Sequence, residues 1–291
     1  FSALKGLNAV VVANAVSKEI VAAKTGSPLI VGIGDQEFFV ASDASAIVKH
    51  TKKVVFLKDN EMVILGNPSA GGIQLLSLPN GQKLEVKPEE ITWSYAVSTK
   101  GKFHDFMIKE IHEQPNVIRN IAKNYSSQVE KLAKDIQKAK GTFFIGAGTA
   151  AYAALAGTYI FSKIAKKHVN TAVASEFNYL EDFLTKDSLV IALSQSGETI
   201  DVVEPLNRAK EKGSRIFAIT NTLGSTIYRM ADYNMLLNAG PEKAVASTKA
   251  YIAKMCVVLM LAYAIIGKTK LAQSILLDAA VECERLLEEK S

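Results

Sequence analysis

The second half of the chain alternates short, continuously apolar runs with longer segments of helical periodicity. The apolar runs lack a strict polar–apolar alternation, which is typical of strands buried on both faces of a parallel sheet. Because helical segments separate these runs, the pattern predicts an α/β domain with a doubly wound parallel sheet. The predicted strands are GTFFIGAG, VNTAVA, DSLVIALS, SRIFAIT and YNMLLNAG.

The first part of the chain has a different pattern. In residues 1–65, Val, Ile and Phe runs of strand length follow one another closely, which predicts mainly antiparallel strands. Residues 66–102 carry clusters of turn residues and are interpreted as a linker with one hairpin around Asn80-Gly81. Residues 103–291 then form the α/β domain. Pro115 is expected to break or restart the first helix of that domain, because its ring blocks the preceding turn.

Composition and charge narrow the class of protein. Of 291 residues, 48% are apolar and 22% charged, an ordinary globular mixture. The net charge of +5 is spread along the chain without a basic block, so we expect no nucleic-acid partner. The uncharged, strongly apolar run of residues 255–267 is too short for a membrane span, and no signal peptide is visible. These features predict a cytoplasmic protein without a membrane partner.

Cysteine and histidine usage gives no sign of a metal. Cys256 and Cys283 lie in apolar helical patterns and are expected to be free thiols. The four histidines are scattered without ligand spacing. We therefore expect neither a metal site nor a cofactor.

Three polar loops follow predicted strands at one edge of the sheet. They are GAGTAAYAA from Gly146, SQSGET at Ser194–Thr199, and AGPEKAVASTKA at Ala239–Ala250. Ligands of open α/β sheets bind outside the carboxyl ends of the strands. Each loop also leads into a helix, whose first N–H groups and positive dipole end attract anions. This edge is therefore the candidate binding site.

The SQSGET loop has the chemistry of a phosphate site. It offers three hydroxyls and an amide as neutral donors, and Gly197 allows close approach of the backbone. The chain lacks the lysine pattern of a nucleotide P-loop and the third glycine of a dinucleotide fingerprint, which favours a sugar phosphate. The alternative is that these residues only cap helices, the role expected for Glu198. Lys249 and Lys254 are expected to extend from an apolar helix towards water.

Several motifs closely resemble one enzyme family. ALSQSGET, VASEFNY, AGPEKAVASTKA and FMIKEIHEQP resemble the first sugar-isomerase (SIS) subdomain of the glucosamine-6-phosphate synthases, the isomerizing glutamine–fructose-6-phosphate aminotransferases. AAKTGSPLIVGIGDQEFFVASDASAIV and VVFLKDNEMVIL are similar to the second half of that family's glutaminase domain. The resemblance implies a flavodoxin-like SIS subdomain in residues 103–291, preceded by part of an Ntn-hydrolase-type glutaminase domain in residues 1–65.

The resemblance also implies a function. The family uses ammonia from glutamine to convert fructose 6-phosphate to glucosamine 6-phosphate, without a metal, and builds its sugar site across two subunits. This implies a homodimer or other homo-oligomer. Asp43 matches a carboxylate that holds the amino group of glutamine. The positions implied to bind the sugar phosphate are Thr149, Ser194, Gln195, Ser196, Thr199 and the Val245 backbone.

The chain departs from the family in ways that affect catalysis. The family's nucleophilic cysteine would lie before Phe1, and its second SIS subdomain after Ser291. We therefore expect a fragment with no catalytic residue of its own, inactive without the missing glutaminase and SIS segments as partners. Where the family usually has Gly-Thr-Ser, this chain has Ala150 as the third residue. A lost hydroxyl contact there would cost about 1 kcal/mol of binding free energy.

Three alternatives stay open from the sequence. The chain could be a free-standing sugar-phosphate isomerase of the SIS type, which would need an acid and a base of its own. It could be a non-catalytic sugar-phosphate-binding regulatory module. It could also be one part of a split enzyme.

Overall fold

The computed structural model describes residues 1, 3–6, 8–67, 72–91 and 99–289. The chain divides between Thr99 and Lys100 into two compact units. Across the described ranges, no helix is both long enough and apolar enough to cross a membrane.

The first unit is built from antiparallel strands. Its strands are β1 Asn8–Ala13, β2 Ile20–Thr25, β3 Ile30–Ile33, β4 Phe38–Ala41, β5 Lys53–Phe56, β6 Glu61–Leu65, β7 Ile73–Ser77, β8 Gln82–Leu84 and β9 Glu89–Glu90. They form two described sheets, in the orders β1-β2-β6-β7-β8 and β4-β3-β5-β9. Every strand pair in both sheets is antiparallel, as the sequence predicts.

The core of the first unit draws on both sheets. Val31 and Val55 from one sheet and Val63 and Leu75 from the other belong to one buried cluster. Leu75 lies on β7, within the stretch 66–102 that the sequence indicates as a linker. Strands β7 and β8 form a hairpin that continues the first sheet, so the first unit extends past residue 65. Residues 68–71 and 92–98 of the same stretch lie outside the described residues.

The second unit is an α/β domain. Its strands are β10 Gly141–Gly146, β11 Asn170–Val173, β12 Ser188–Leu193, β13 Arg215–Thr220 and β14 Tyr233–Leu236. Its α-helices are α1 Phe106–Asn124, α2 Ser126–Lys138, α3 Thr149–Ile160, α4 Ile200–Glu211, α5 Thr226–Met230, α6 Lys249–Ile265 and α7 Thr269–Glu288. A π-helical turn, Phe161–Ala165, continues α3, and short 3₁₀ segments occupy Ala174–Tyr179 and Glu181–Phe183.

The described sheet of the second unit is parallel and has the order β11-β10-β12-β13-β14. Its strands are buried on both faces. Along β12, Leu189 and Ile191 belong to a core cluster on one face of the sheet, together with residues of α1, α2, α3, α6 and α7. Val190 and Ala192 belong to a second cluster on the opposite face, together with residues of α4. The predicted doubly wound parallel sheet is therefore confirmed.

Strand order sets the position of the site. The chain runs from β10 outward to β11 on one side and then returns to β12 on the other side of β10. Such a reversal opens a crevice between the two loops that leave the neighbouring strands. The loops after β10 and β12 are the Gly146 loop and the SQSGET loop.

Helix α6 is the central helix of the larger core. It packs against α1, α2, α3 and α7, which explains its continuous apolar sequence. Helix α1 continues through Pro115, so the predicted break there is wrong. Ile118 and Ile121, which follow the proline, are buried in the same core. The packing of these side chains outweighs the one backbone hydrogen bond that proline cannot make.

Two glycines shape the crevice. A Cβ atom at Gly146 would lie 2.8 Å from the Ala150 carbonyl carbon, so glycine lets the start of α3 approach the end of β10. Gly197 has φ of +68°, and a Cβ atom there would lie 2.0 Å from Ser225 Oγ. The conformation of the SQSGET loop therefore requires glycine at residue 197.

We expect Gly197→Ala to lower the free energy of unfolding of this unit by about 3 kcal/mol, because left-handed strain and a steric collision add together. Urea denaturation followed by circular dichroism measures the loss. Gly213→Ala is the matched control: φ is +76° there, but the nearest atom to a Cβ lies 3.7 Å away. The control should lose only about 1 kcal/mol. Equal losses in the two variants would show that the contact with Ser225 does not restrict this loop.

Candidate functional site

The second unit contains a cavity of about 110 Å³ where β10 and β12 end. Loops and helix starts from both strands form its walls, and α6 adds one residue from the core side. The lining residues are Ala147, Thr149, Ala150, Leu193, Ser194, Gln195, Ser196, Thr199 and Lys254.

The structure brings five of the sequence-predicted binding residues together in this cavity: Thr149, Ser194, Gln195, Ser196 and Thr199. They come from two loops some fifty positions apart in the sequence. Their convergence follows from the adjacency of β10 and β12, in which Gly146 lies directly opposite Leu193.

The other two predicted residues lie elsewhere. Val245 is fully exposed in the loop before α6 and does not line the cavity. Asp43 is exposed in the first unit, directly before a 3₁₀ turn at Ala44–Ala46. Neither side chain forms part of the cavity.

Hydrogen bonds within the SQSGET loop hold its hydroxyls in place. Ser194 is 2% exposed, and its Oγ accepts a hydrogen bond of 2.9 Å from the Gly197 N–H. The Thr199 hydroxyl lies 3.4 Å from the same oxygen. Ser196 Oγ accepts from the Glu198 N–H at 3.2 Å. Each hydroxyl that accepts in this way still carries a proton that it can donate to a ligand.

Two helices begin at the cavity without a side-chain cap. Gly148 precedes α3 and Thr199 precedes α4, and neither makes a side-chain hydrogen bond to its helix. Among the described α-helices, α1 has such a cap, because the Asp105 carboxylate accepts from the Ile108 N–H at 2.9 Å; the residues before α2, α5, α6 and α7 make none. The first N–H groups of α3 and α4 and the positive ends of both helix dipoles are therefore suited to an anion.

Glu198 has a separate role. Its carboxylate accepts a hydrogen bond of 2.9 Å from the Thr226 N–H at the start of α5. It does not line the cavity, so no carboxylate opposes a bound anion from this position. Glu198 was expected to cap the helix that follows it, α4, but its hydrogen bond goes to the start of α5 instead.

Lys254 is the functional residue that sequence reasoning missed. Lys249 and Lys254 were both expected to extend towards water, but both are 0% exposed, and Lys254 lines the cavity. Burial lowers the pKa of its ammonium group to about 8, and the charge of Glu242 partly opposes this shift. The signal in the sequence was a lysine amid the apolar positions of α6. That signal alone does not distinguish a buried lysine from one that reaches solvent.

Two carboxylates hold the third loop of this edge. Glu110 of α1 accepts from the Lys243 N–H at 2.6 Å, and Glu242 accepts from the Thr248 N–H at 2.7 Å. Burial raises the pKa of the Glu110 carboxyl, and the loop N–H groups oppose that shift. The FMIKEIHEQP motif thus positions the loop that leads into α6.

A second cavity, of about 390 Å³, is lined in part by Lys166, Lys167 and His168. These residues directly follow the π-helical turn that ends α3. Cations at a helix carboxyl end offset the negative end of its dipole, which accounts for the basic run without a ligand. Within the described part of the chain, no three His, Cys, Asp or Glu side chains cluster as metal ligands.

Comparison with known proteins agrees with this geometry. The family model of the SIS domain matches residues 135–264, which span β10 to α6. The chain is 39% identical over 252 residues to the isomerizing glutamine–fructose-6-phosphate aminotransferase of Clostridium tetani, covering 84% of this chain and 41% of that protein. It is 39% identical over 265 residues to the enzyme of the same name from Thermus thermophilus, covering 89% of this chain and 43% of the relative.

Both matches cover more of the chain than Lys100–Ser291 alone, so they extend into the first unit. The chain spans about two fifths of the length of these relatives. Among solved structures, the chain is similar to the C-terminal domain of glucosamine-fructose-6-phosphate aminotransferase from Francisella tularensis, with a TM-score of 0.53 and 27% sequence identity. This similarity covers 65% of this chain and 56% of the Francisella tularensis chain.

A tagatose-6-phosphate ketose/aldose isomerase from Escherichia coli, with a TM-score of 0.53 at 16% identity, covers 64% of this chain and 54% of its own and shows the same fold. The resemblance read from the motifs is confirmed. The chain therefore contains a SIS domain, and over more than four fifths of its length it is similar in sequence to the glutamine–fructose-6-phosphate aminotransferases.

Proposed function

We propose that the second unit binds the phosphate group of fructose 6-phosphate or glucosamine 6-phosphate in the cavity between β10 and β12. In this proposal the chain supplies the sugar-phosphate-binding part of the glutamine-dependent conversion of fructose 6-phosphate to glucosamine 6-phosphate. The observation that carries it is the convergence of four hydroxyls and an amide on two helix starts that lack side-chain caps.

The roles follow from the chemistry of the lining. Ser194, Ser196 and Thr199 donate hydroxyl hydrogen bonds to phosphate oxygens, and Gln195 donates through its amide. Thr149, at the first turn of α3, is placed to meet either a phosphate oxygen or the sugar. The described lining contains no Asp, Glu or His, and Lys254 is the one described side chain in it that could exchange a proton with the sugar. We assign the cavity to binding, and isomerisation with Lys254 as the base is the alternative.

The first unit is proposed to be part of a glutaminase domain of the Ntn-hydrolase type. Its antiparallel two-sheet architecture and the extension of the sequence matches beyond the second unit support this assignment. Asp43 would hold the amino group of glutamine there. Asp43 is exposed and directly precedes a 3₁₀ turn. Titration with glutamine tests this role, since Asp43→Asn should abolish any heat of binding that the unchanged chain gives.

For the sugar-phosphate site, we expect isothermal titration to show binding of fructose 6-phosphate but not of fructose. Ser196→Ala should weaken the binding of fructose 6-phosphate about 10- to 100-fold, since a hydrogen bond to a charged group is lost. Its melting temperature should change little because Ser196 is partly exposed.

Ser194→Ala tests a hydroxyl of the same loop that also stabilises the fold. Ser194 is buried and accepts the Gly197 N–H, so this substitution should lower both affinity and melting temperature. Binding of fructose as strong as that of its phosphate ester, or binding indifferent to Ser196, would contradict the proposed site.

Ala150 gives a test in the opposite direction. It lines the cavity at the first turn of α3 and offers no side-chain donor. Ala150→Ser should tighten the binding of fructose 6-phosphate about three- to tenfold by adding one hydroxyl contact. The same titration measures the gain. Unchanged affinity for both fructose 6-phosphate and inorganic phosphate would place the phosphate away from the start of α3.

A homo-oligomer is also part of the proposal. Tyr152, Leu155 and Tyr159 lie at i, i+3 and i+7 on one face of α3 and are 67%, 40% and 65% exposed. An apolar helix face of this kind is suited to contact with a second copy of the chain. Sedimentation equilibrium should show a dimer or larger assembly, and Tyr159→Glu should shift it towards monomer. A wild-type chain that stays monomeric at high concentration would contradict this part.

A further inference from the structure

Lys254 differs from the other fully buried lysines that the structure describes. Lys24 and Lys249 are also 0% exposed, but each forms an ion pair, with Asp59 and Glu113 respectively. Lys254 Nζ is buried and has no hydrogen-bond partner among the described residues. A buried ammonium group without a partner is costly, because it loses its hydration without gaining a compensating contact.

The surroundings of Lys254 indicate what would offset that cost. It lines the same cavity as Ser194, Ser196 and Thr199, and the other described lining residues are all uncharged. Glu242 acts on Lys254 through its charge, but its carboxylate oxygens accept hydrogen bonds from Ser247 and Thr248. Hydroxyls, an amide and helix dipoles can solvate a phosphate, but they carry no full positive charge to balance it.

We propose that Lys254 Nζ contacts the phosphate bound in this cavity and serves as its counter-ion. The ligand is then a phosphate ester that enters with its negative charge, and the ammonium group gains its missing partner when the ester binds. This inference rests on the proposed sugar-phosphate site and assigns to that site a residue from α6, outside the polar loops.

The ionisation of Lys254 agrees with this role. Because burial lowers the pKa of Lys254 to about 8, the ammonium form is the main form at neutral pH but is destabilised relative to water. A bound phosphate favours the charged form and so raises the pKa of Lys254 again. Binding therefore couples to proton uptake near and above the pKa of the lysine.

The test compares Lys254→Met, which keeps the length of the side chain but removes its charge, with the unchanged chain. Titration at neutral pH with fructose 6-phosphate and with inorganic phosphate should show affinity for both lowered about 10- to 100-fold, as for loss of a charge-assisted contact. Lys210→Met is the matched control, because it removes the same charge from the exposed side of α4. Its affinity should change less than about twofold.

The melting temperature of Lys254→Met should change in the opposite direction to its phosphate affinity. The folded chain holds Lys254 at a lower pKa than the unfolded chain, so charging this residue costs stability at neutral pH. Lys254→Met should therefore raise the melting temperature without ligand while weakening the binding of phosphate. A lysine that only fills space would give no loss of phosphate affinity on this substitution.

The pH dependence of fructose 6-phosphate binding tests the same inference on the unchanged chain, so it does not require that Lys254→Met folds. In the unchanged chain, affinity for fructose 6-phosphate should fall above a pH of about 8 as Lys254 loses its proton. Glu242 is the charged group that acts on Lys254. An affinity that stays constant through this range would overturn the inference, as would Lys254→Met binding phosphate as tightly as the unchanged chain.

The outcomes separate this inference from the proposed function. If the unchanged chain shows binding that depends on the phosphate and on Ser196, but not on Lys254, only the counter-ion role fails. If the unchanged chain shows no phosphate-dependent binding, the proposed function fails and the role of Lys254 with it. Conversion of fructose 6-phosphate to an aldose phosphate that disappears in Lys254→Met would instead make the lysine a base and overturn the counter-ion role.

Discussion

Burial of the parallel sheet on both faces is the constraint on which the rest of the second unit depends. Because successive residues of β12 pack into opposite cores, positions 189–193 are all apolar, and the polar Ser188 lies at the end of the strand. Polar chemistry is therefore confined to the strand ends. The order of the strands then decides which ends meet, and here the ends of β10 and β12 are adjacent.

Much of this arrangement could be predicted from the sequence because its determinants are local. Continuous apolar runs predicted the buried strands, and the polar loops that follow them predicted the site. Five residues of the cavity were predicted in this way and by resemblance. Val245 was predicted on resemblance alone and does not line the cavity, so its assignment does not follow from this geometry.

Three features could not be predicted from the sequence because they depend on tertiary packing. Pro115 should disfavour a helix, but the buried residues that follow it keep α1 continuous. Leu75 completes a core between two sheets, so its strand belongs to the first unit although turn clusters suggested a linker. Lys254 lies on an apolar helix, and only the position of α6 behind the cavity distinguishes it from a lysine that reaches solvent.

The site combines features that stabilise the loops with one that does not. Ser194 and Glu198 satisfy backbone N–H groups and so fix the SQSGET loop. The buried ammonium group of Lys254 lowers stability, since no described residue pairs with it. Unfavourable groups of this kind are retained where a ligand offsets their cost.

A crystal structure of the chain with fructose 6-phosphate would show directly whether the cavity holds the phosphate. We expect the phosphate group between β10 and β12, within hydrogen-bond distance of the Ser196 and Thr199 hydroxyls and of Lys254 Nζ. Phosphate bound instead in the larger cavity beside Lys166 and His168, or sugar without ordered phosphate between β10 and β12, would contradict this expectation.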